Sequence, residues 1–416
     1  MSFGIARHDD GPFPRSRDRF RRRLGRGLLA AAMAAAVWAV TMAGMRFEIG
    51  GSAVRTGASV SLDPAAPGSS AVPGGSDVAA ASTVASGSPR PESPAVPGSP
   101  AAPQGPAVPL GAFVGSGAAG VERLAEFEQW LDAPVTVGHT YLPGETWAGI
   151  EGPGNLVRSW GEWRAADPRR KLVVNVPMLA PNEVPLPDNV VSALLRGGAT
   201  GAFDTHFVRL AERLVDAEAA DTIIVLGWEM NGITYTGRCA PNPEMWKIYW
   251  RRIVAAMRSV KGARFQFDFT PSRGMDAIAW PECYPGDDVV DIIGMDVYDQ
   301  PVGKDFDEFV KEPYGLQAHV DFARAHGKKI SFPEWGLFRN SDNPDYIRDM
   351  FDWITRHRAE YQTISDYCPH GVWRCSDNPR SSEVYRSLFG RAAGWLSPFR
   401  TAAASPAVSP NVSRSP

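Results

Sequence analysis

The stretch Asp221–Gly232 reads DTIIVLGWEMNG. Its run Thr222–Leu226 is apolar and β-branched, the composition of a strand buried on both faces in a parallel sheet. The run ends on a carboxylate, Glu229, followed by Met230, Asn231 and Gly232. A charge at the tip of an apolar strand needs a partner or a use, because burying it bare is costly. In a parallel barrel, the C-terminal strand tips carry the reacting groups.

Further runs of the same kind flank this stretch. Upstream lie Ala112–Val114, Val135–Tyr141 and Lys171–Met178; downstream lie Arg264–Thr270, Val289–Tyr298, Lys328–Trp335 and the short Gly371–Arg374. Helical spacing of apolar residues separates them over Val121–Leu131, His206–Ala219, Glu244–Val260, Asp307–Ala325 and Pro344–His357. This alternation predicts an α/β protein, a (β/α)8 TIM barrel over residues 111–398. An open doubly wound sheet is the alternative. Gly115–Gly120 fits its G-x-G-x-x-G loop, but no acidic residue closes the second strand to read a ribose.

The remainder of the chain has another character. Residues 1–27 are crowded with arginine, and an uncharged apolar run occupies 28–45. A basic flank before an apolar run marks a signal anchor or a signal peptide, and it places the chain downstream of residue 45 outside the cytoplasm. Residues 46–110 are rich in Pro, Ala, Ser and Gly, a composition that predicts a disordered linker. Residues 399–416 form a similar tail. The whole chain carries 43 Lys plus Arg against 46 Asp plus Glu, net −3, which excludes a generally basic nucleic-acid binder. The four cysteines allow three pairings. Adjacency of the fourth and fifth strands favours Cys239–Cys283, with Cys368–Cys375 as the second bridge. No C-x2-C or H-E-x-x-H spacing occurs, so no metal and no cofactor is expected.

Strand alternation brings acids to the mouth. Glu229 on the fourth strand is expected to share the inward face with Ile223, Val225 and Gly227, leaving Trp228 outward. Asp296 and Tyr298 on the sixth share a face with Gly294, and Glu334 on the seventh shares one with Ile330 and Phe332. Two opposed carboxyls suit retaining glycoside hydrolysis, which places them about 5–5.5 Å apart as acid/base and nucleophile. Trp147, Tyr235, Trp335 and Trp373 offer flat faces for sugar rings. Asn231 and His139 are candidate sugar ligands. Asp296 reads as structural, and Asp268 with Arg273 as an ion pair.

These motifs resemble those of glycoside hydrolase family 26, the β-mannanase family of the retaining barrel clan. GWEMNG at Gly227–Gly232 is similar to its acid/base motif, GMDVYD at Gly294–Asp299 to its sixth-strand motif and PEWG at Pro333–Gly336 to its nucleophile segment. The resemblance implies Glu229 as proton donor, Glu334 as nucleophile and Tyr298 as the nucleophile's partner. It implies Trp373 as the eighth-strand tryptophan flooring the sugar site. The chain departs from the family in Trp228, where mannanases carry His, and in Ile233-Thr234-Tyr235, where they place a tryptophan.

The expected function is retaining, endo-acting hydrolysis of a β-mannan-like polysaccharide or exopolysaccharide. The expected protein is a monomer held at the membrane by its anchor. A β-glucan substrate, or a non-catalytic polysaccharide-binding or export role on the same barrel, are the rivals.

Overall fold

The computed structural model describes residues 108–390. The expected anchor and tail lie outside the described residues, as does the expected linker except for residues 108–110, of which Leu110 opens the first strand. Among the described residues, no helix is long and apolar enough to cross a membrane.

Eight parallel strands close into a ring: β1 (Leu110–Phe113), β2 (Val137–Tyr141), β3 (Lys171–Val176), β4 (Ile223–Leu226), β5 (Gln266–Phe269), β6 (Ile292–Gly294), β7 (Lys329–Gly336) and β8 (Gln362–Ser365). Each pairs with the next, and β8 pairs back onto β1. A two-residue extension of β6, Val297–Tyr298, pairs with the end of β7. The eighth strand is therefore Gln362–Ser365, not Gly371–Arg374. The sequence QTIS has a single apolar residue because Gln362, Thr363 and Ser365 meet polar partners, so it lacks the apolar run that marks the others. Gly371–Arg374 instead sits in a loop closed by a disulfide.

Helices separate the strands: α1 (Gly117–Leu131), α2 (Gly154–Ala165), α3 (Asp188–Ala199), α4 (Asp204–Asp216), α5 (Pro243–Arg258), α6 (Phe306–Lys311), α7 (Leu316–Ala325), α8 (Pro344–His357) and α9 (Pro379–Phe389). α5 shows why such segments are helical. Asn242 caps the Met245 N–H and Pro243 occupies the first turn. Trp246, Tyr249, Trp250, Ile253 and Met257 then bury one stripe. Burying each such side chain contributes roughly 1.5–3 kcal/mol.

Two layers of core result. The outer one lies between strands and helices and holds Ile224, Leu226, Phe267, Phe269, Ile293 and Ile330. The inner one fills the barrel with Val137, Val173, Ile223, Val225, Ile292 and Tyr361. The inner layer also buries a polar floor. Asp268 accepts from Ser331 at 2.6 Å, Tyr361 at 2.7 Å and Thr270 at 2.9 Å. Gly294 faces this floor, and a Cβ there would meet Thr270 Oγ1 at 2.5 Å. Asp268 thus serves the barrel interior and is not the partner of Arg273. That guanidinium pairs with Glu312 and lies 3.7 Å from the Phe309 ring centre.

Both disulfides pair as expected. Cys239–Cys283 ties the loop after β4 to the one after β5, and Cys368–Cys375 closes the loop after β8.

Candidate active site

The site sits at the C-terminal mouth of the barrel. Glu334 is on β7 and 5% exposed. Its Oε2 accepts from the Tyr298 hydroxyl at 3.0 Å, and its Oε1 accepts from the Asn175 amide at 3.0 Å. The Tyr141 hydroxyl donates to it as well. Tyr141 and Asn175 are register partners on β2 and β3, so they reach the carboxylate from one level of the barrel. Burial pushes the Glu334 carboxyl above its ordinary range, and the three donors pull it back.

Glu334 points inward for a reason strand alternation does not supply. Ile330 and Phe332 face the outer core, while Ser331 faces Asp268. A register irregularity between Phe332 and Trp335, at Pro333, rephases the strand so that Glu334 turns in and Trp335 turns out. The expected sharing of a face with Ile330 and Phe332 is therefore corrected.

A similar break sets Glu229. The strand β4 ends at Leu226, and Gly227 and Glu229 adopt positive φ of 60° and 49°. The Glu229 N–H bonds across to the Thr270 carbonyl at the β5 tip, 2.8 Å away. Glutamate in this left-handed region is uncommon, and such strain concentrates at functional sites. The break sends Trp228 into the barrel rather than outward. It packs with Val225, Tyr141 and Tyr235, and its indole donates to the Tyr235 hydroxyl at 2.9 Å.

A cleft is lined by Glu229, Ser272, Asp276, Asp296 and Tyr298, among others. Asp296 is buried there, and neither of its carboxylate oxygens has a hydrogen-bond partner. Burial raises its pKa well above the ordinary range, and the charges of Glu334 and Glu229 raise it further. Asp296 is thus a third acid within electrostatic reach of both glutamates.

Residues 210–336, from α4 to the end of β7, match the Glycosyl hydrolase family 26 model. Over these residues the chain is similar to glycosyl hydrolase family 26. The matched segment contains Glu229, Asp296, Tyr298 and Glu334. Two solved structures are similar in fold. The YdhT protein from Bacillus subtilis superposes with a TM-score of 0.50 at 15% identity, covering 66% of this chain and 84% of that one. Bacillus subtilis mannanase man26 gives 0.51 at 14% identity, covering 66% and 83%. No curated protein matches the chain.

In this barrel, several expected ligands are engaged with other side chains. Asn231 is buried, and its amide is engaged by Ser272 through both its oxygen and its nitrogen, so it stitches the β4 loop to the β5 loop. Tyr235 is buried under Trp228. His139 is wholly buried between Asn175 and Thr363. Trp335 is wholly buried and bonds Gln362 on the outer face, and Trp147 is stacked between Phe203 and His206. Trp373 packs edge-on to Phe127 of α1, with the Arg374 guanidinium over its ring.

The aromatic that β8 brings near the acids is Tyr367. Its hydroxyl is pushed up first by burial, then by the charges of Glu334 and Glu229. It also stands edge-on to Phe113 and His370. Asn175 and Tyr367 were not legible in the sequence. The first left a trace, a lone amide inside KLVVNVPM; the second lies just after a strand whose mostly polar composition hid it.

Proposed function

We propose that the barrel is a retaining, endo-acting glycoside hydrolase of β-linked polysaccharides, mannan-like or of the exopolysaccharide type. The observation that carries this reading is the Glu334 carboxylate, gripped by Tyr298, Tyr141 and Asn175 beside the cleft that Glu229 lines. The match to the family 26 model across residues 210–336 supports it.

In the proposed reaction, Glu334 attacks the anomeric carbon while Glu229 gives its proton to the departing glycosidic oxygen. The glycosidic C–O bond breaks and a glycosyl ester forms on Glu334. Glu229, now ionised, takes a proton from water. The hydroxide then attacks the same carbon and releases Glu334. The donors on Glu334 favour its charged form before attack and after release.

We place the protein outside the cytoplasm, held at a membrane by residues 28–45 and acting as a monomer on polysaccharide. Two disulfides among the described residues suit an oxidising compartment.

Reducing-end release over a panel of mannans, β-glucans and exopolysaccharides tests the reading. Glu229→Gln and Glu334→Gln should each remove turnover while the fold is kept. Near-wild-type turnover by either variant on a good substrate overturns the assignment. Binding with no release by the wild-type protein would favour the non-catalytic role.

A further inference from the structure

The carboxylate proposed as nucleophile is backed by a chain of polar side chains that no expected role uses. Asn175 on β3 donates to Glu334 Oε1 at 3.0 Å. Asn175 Oδ1 lies 2.8 Å from His139 Nε2 on β2, and His139 Nδ1 lies 3.0 Å from Thr363 Oγ1 on β8. Thr363 Oγ1 also contacts the Pro333 carbonyl, immediately before Glu334 in the chain. His139, Asn175 and Thr363 are all wholly buried.

The donor and acceptor roles are set by chemistry. A carboxylate only accepts, so Asn175 must turn its NH2 toward Glu334. Its oxygen then faces His139 and requires a proton on Nε2. Burial lowers the His139 pKa to about 4, so near neutral pH the ring is uncharged and Nδ1 keeps its lone pair. The Thr363 hydroxyl gives its single proton to the Pro333 carbonyl and lies beside Nδ1. The His139 N–H and the Asn175 N–H both point toward Glu334, and bonds aligned in this way reinforce one another in a dry interior.

We propose that His139 is a positioning residue for the nucleophile: as the Nε2–H tautomer it locks the Asn175 amide so that an N–H, never an oxygen, faces Glu334. This rests on the reading of Glu334 as nucleophile for its catalytic consequence, though not for its structural content. The other groups that bear on the Glu334 charge are Tyr141, Tyr235, Tyr298, Tyr367, Asp296 and Glu229; of these, Tyr141 also stacks on the His139 ring, with centroids 5.0 Å apart.

The experiment uses the intact protein and needs no substrate. Nitrogen-15 shifts of the His139 ring, assigned by loss of the signal in His139→Gln, should report the Nε2–H tautomer at neutral pH; the Nδ1–H tautomer overturns the proposal. Carbon-13 titration of the glutamate carboxyls, with Glu334 assigned by Glu334→Gln, should place its pKa higher in His139→Leu by half a unit or more. The mild variant Thr363→Val should move it in the same direction by less, and it serves if His139→Leu does not fold. An unmoved Glu334 titration in a folded variant makes His139 a packing residue and overturns the proposal. Turnover by Glu334→Gln would instead overturn the nucleophile reading and leave the tautomer result standing.

Discussion

The Tyr298 hydroxyl bridges two strands, lying 3.0 Å from Glu334 Oε2 on β7 and 2.8 Å from Ser365 Oγ on β8. A hydrogen bond to a charged group is worth about 1.5–3 kcal/mol. Tyr298→Phe keeps the ring and removes both bonds, of which only the one to Glu334 touches the carboxylate. The expected outcome is a fall in kcat of roughly 10- to 150-fold with little change in thermal stability. Steady-state kinetics beside thermal unfolding checks it, and an unchanged kcat would remove Tyr298 from the nucleophile's support.

Gly227 carries the turn that aims Trp228 inward and Glu229 at the mouth. Its φ is 60°, and a Cβ there would stand 2.5 Å from Met178 Sδ. Gly227→Ala meets both the left-handed penalty and the clash, together at least about 1–2 kcal/mol. The expected outcome is a lower unfolding midpoint in urea together with lost turnover. Loss of stability with full turnover would contradict this link between turn and site.

Buried histidines should make the fold sensitive to acid. His139 and His319 are held near pKa 4 by burial, below the ordinary 6.5. A depressed histidine contributes stability that is complete above pH 6.5 and is lost as pH falls toward 4. Each shift corresponds to roughly 3 kcal/mol. Asp296 has the opposite sign. Its raised pKa means that its contribution is most favourable below the ordinary aspartate range and declines as pH rises through it. Asp296→Asn should therefore gain stability relative to wild type as pH rises above about 4. His319→Gln should flatten the loss between pH 6.5 and 4. Urea unfolding across pH tests both, and parallel curves for wild type and variant would refute either.

The two disulfides should differ in value. Cys239–Cys283 spans 44 residues and Cys368–Cys375 spans 7. Loop entropy assigns them about 4 and 2.4 kcal/mol. Replacing Cys239 and Cys283 by serine should lower the unfolding free energy more than replacing Cys368 and Cys375. Equal losses, or the reverse order, would show that local contacts outweigh chain entropy.

By itself, the sequence determined the alternation of strands and helices and the two glutamates after β4 and on β7. Those are local facts of composition and chain order, and they survive small errors in boundary. What only the tertiary structure decided is which way side chains face and whom they meet. Face alternation holds while φ and ψ stay regular, and it failed at Gly227, at Glu229 and at the irregularity around Pro333. Trp228 therefore turned inward and Phe332 outward. The meeting of His139, Asn175, Thr363 and Glu334 depends on the stagger of four strands, up to 224 residues apart in the chain. No window of sequence contains that stagger, because closing the barrel sets it.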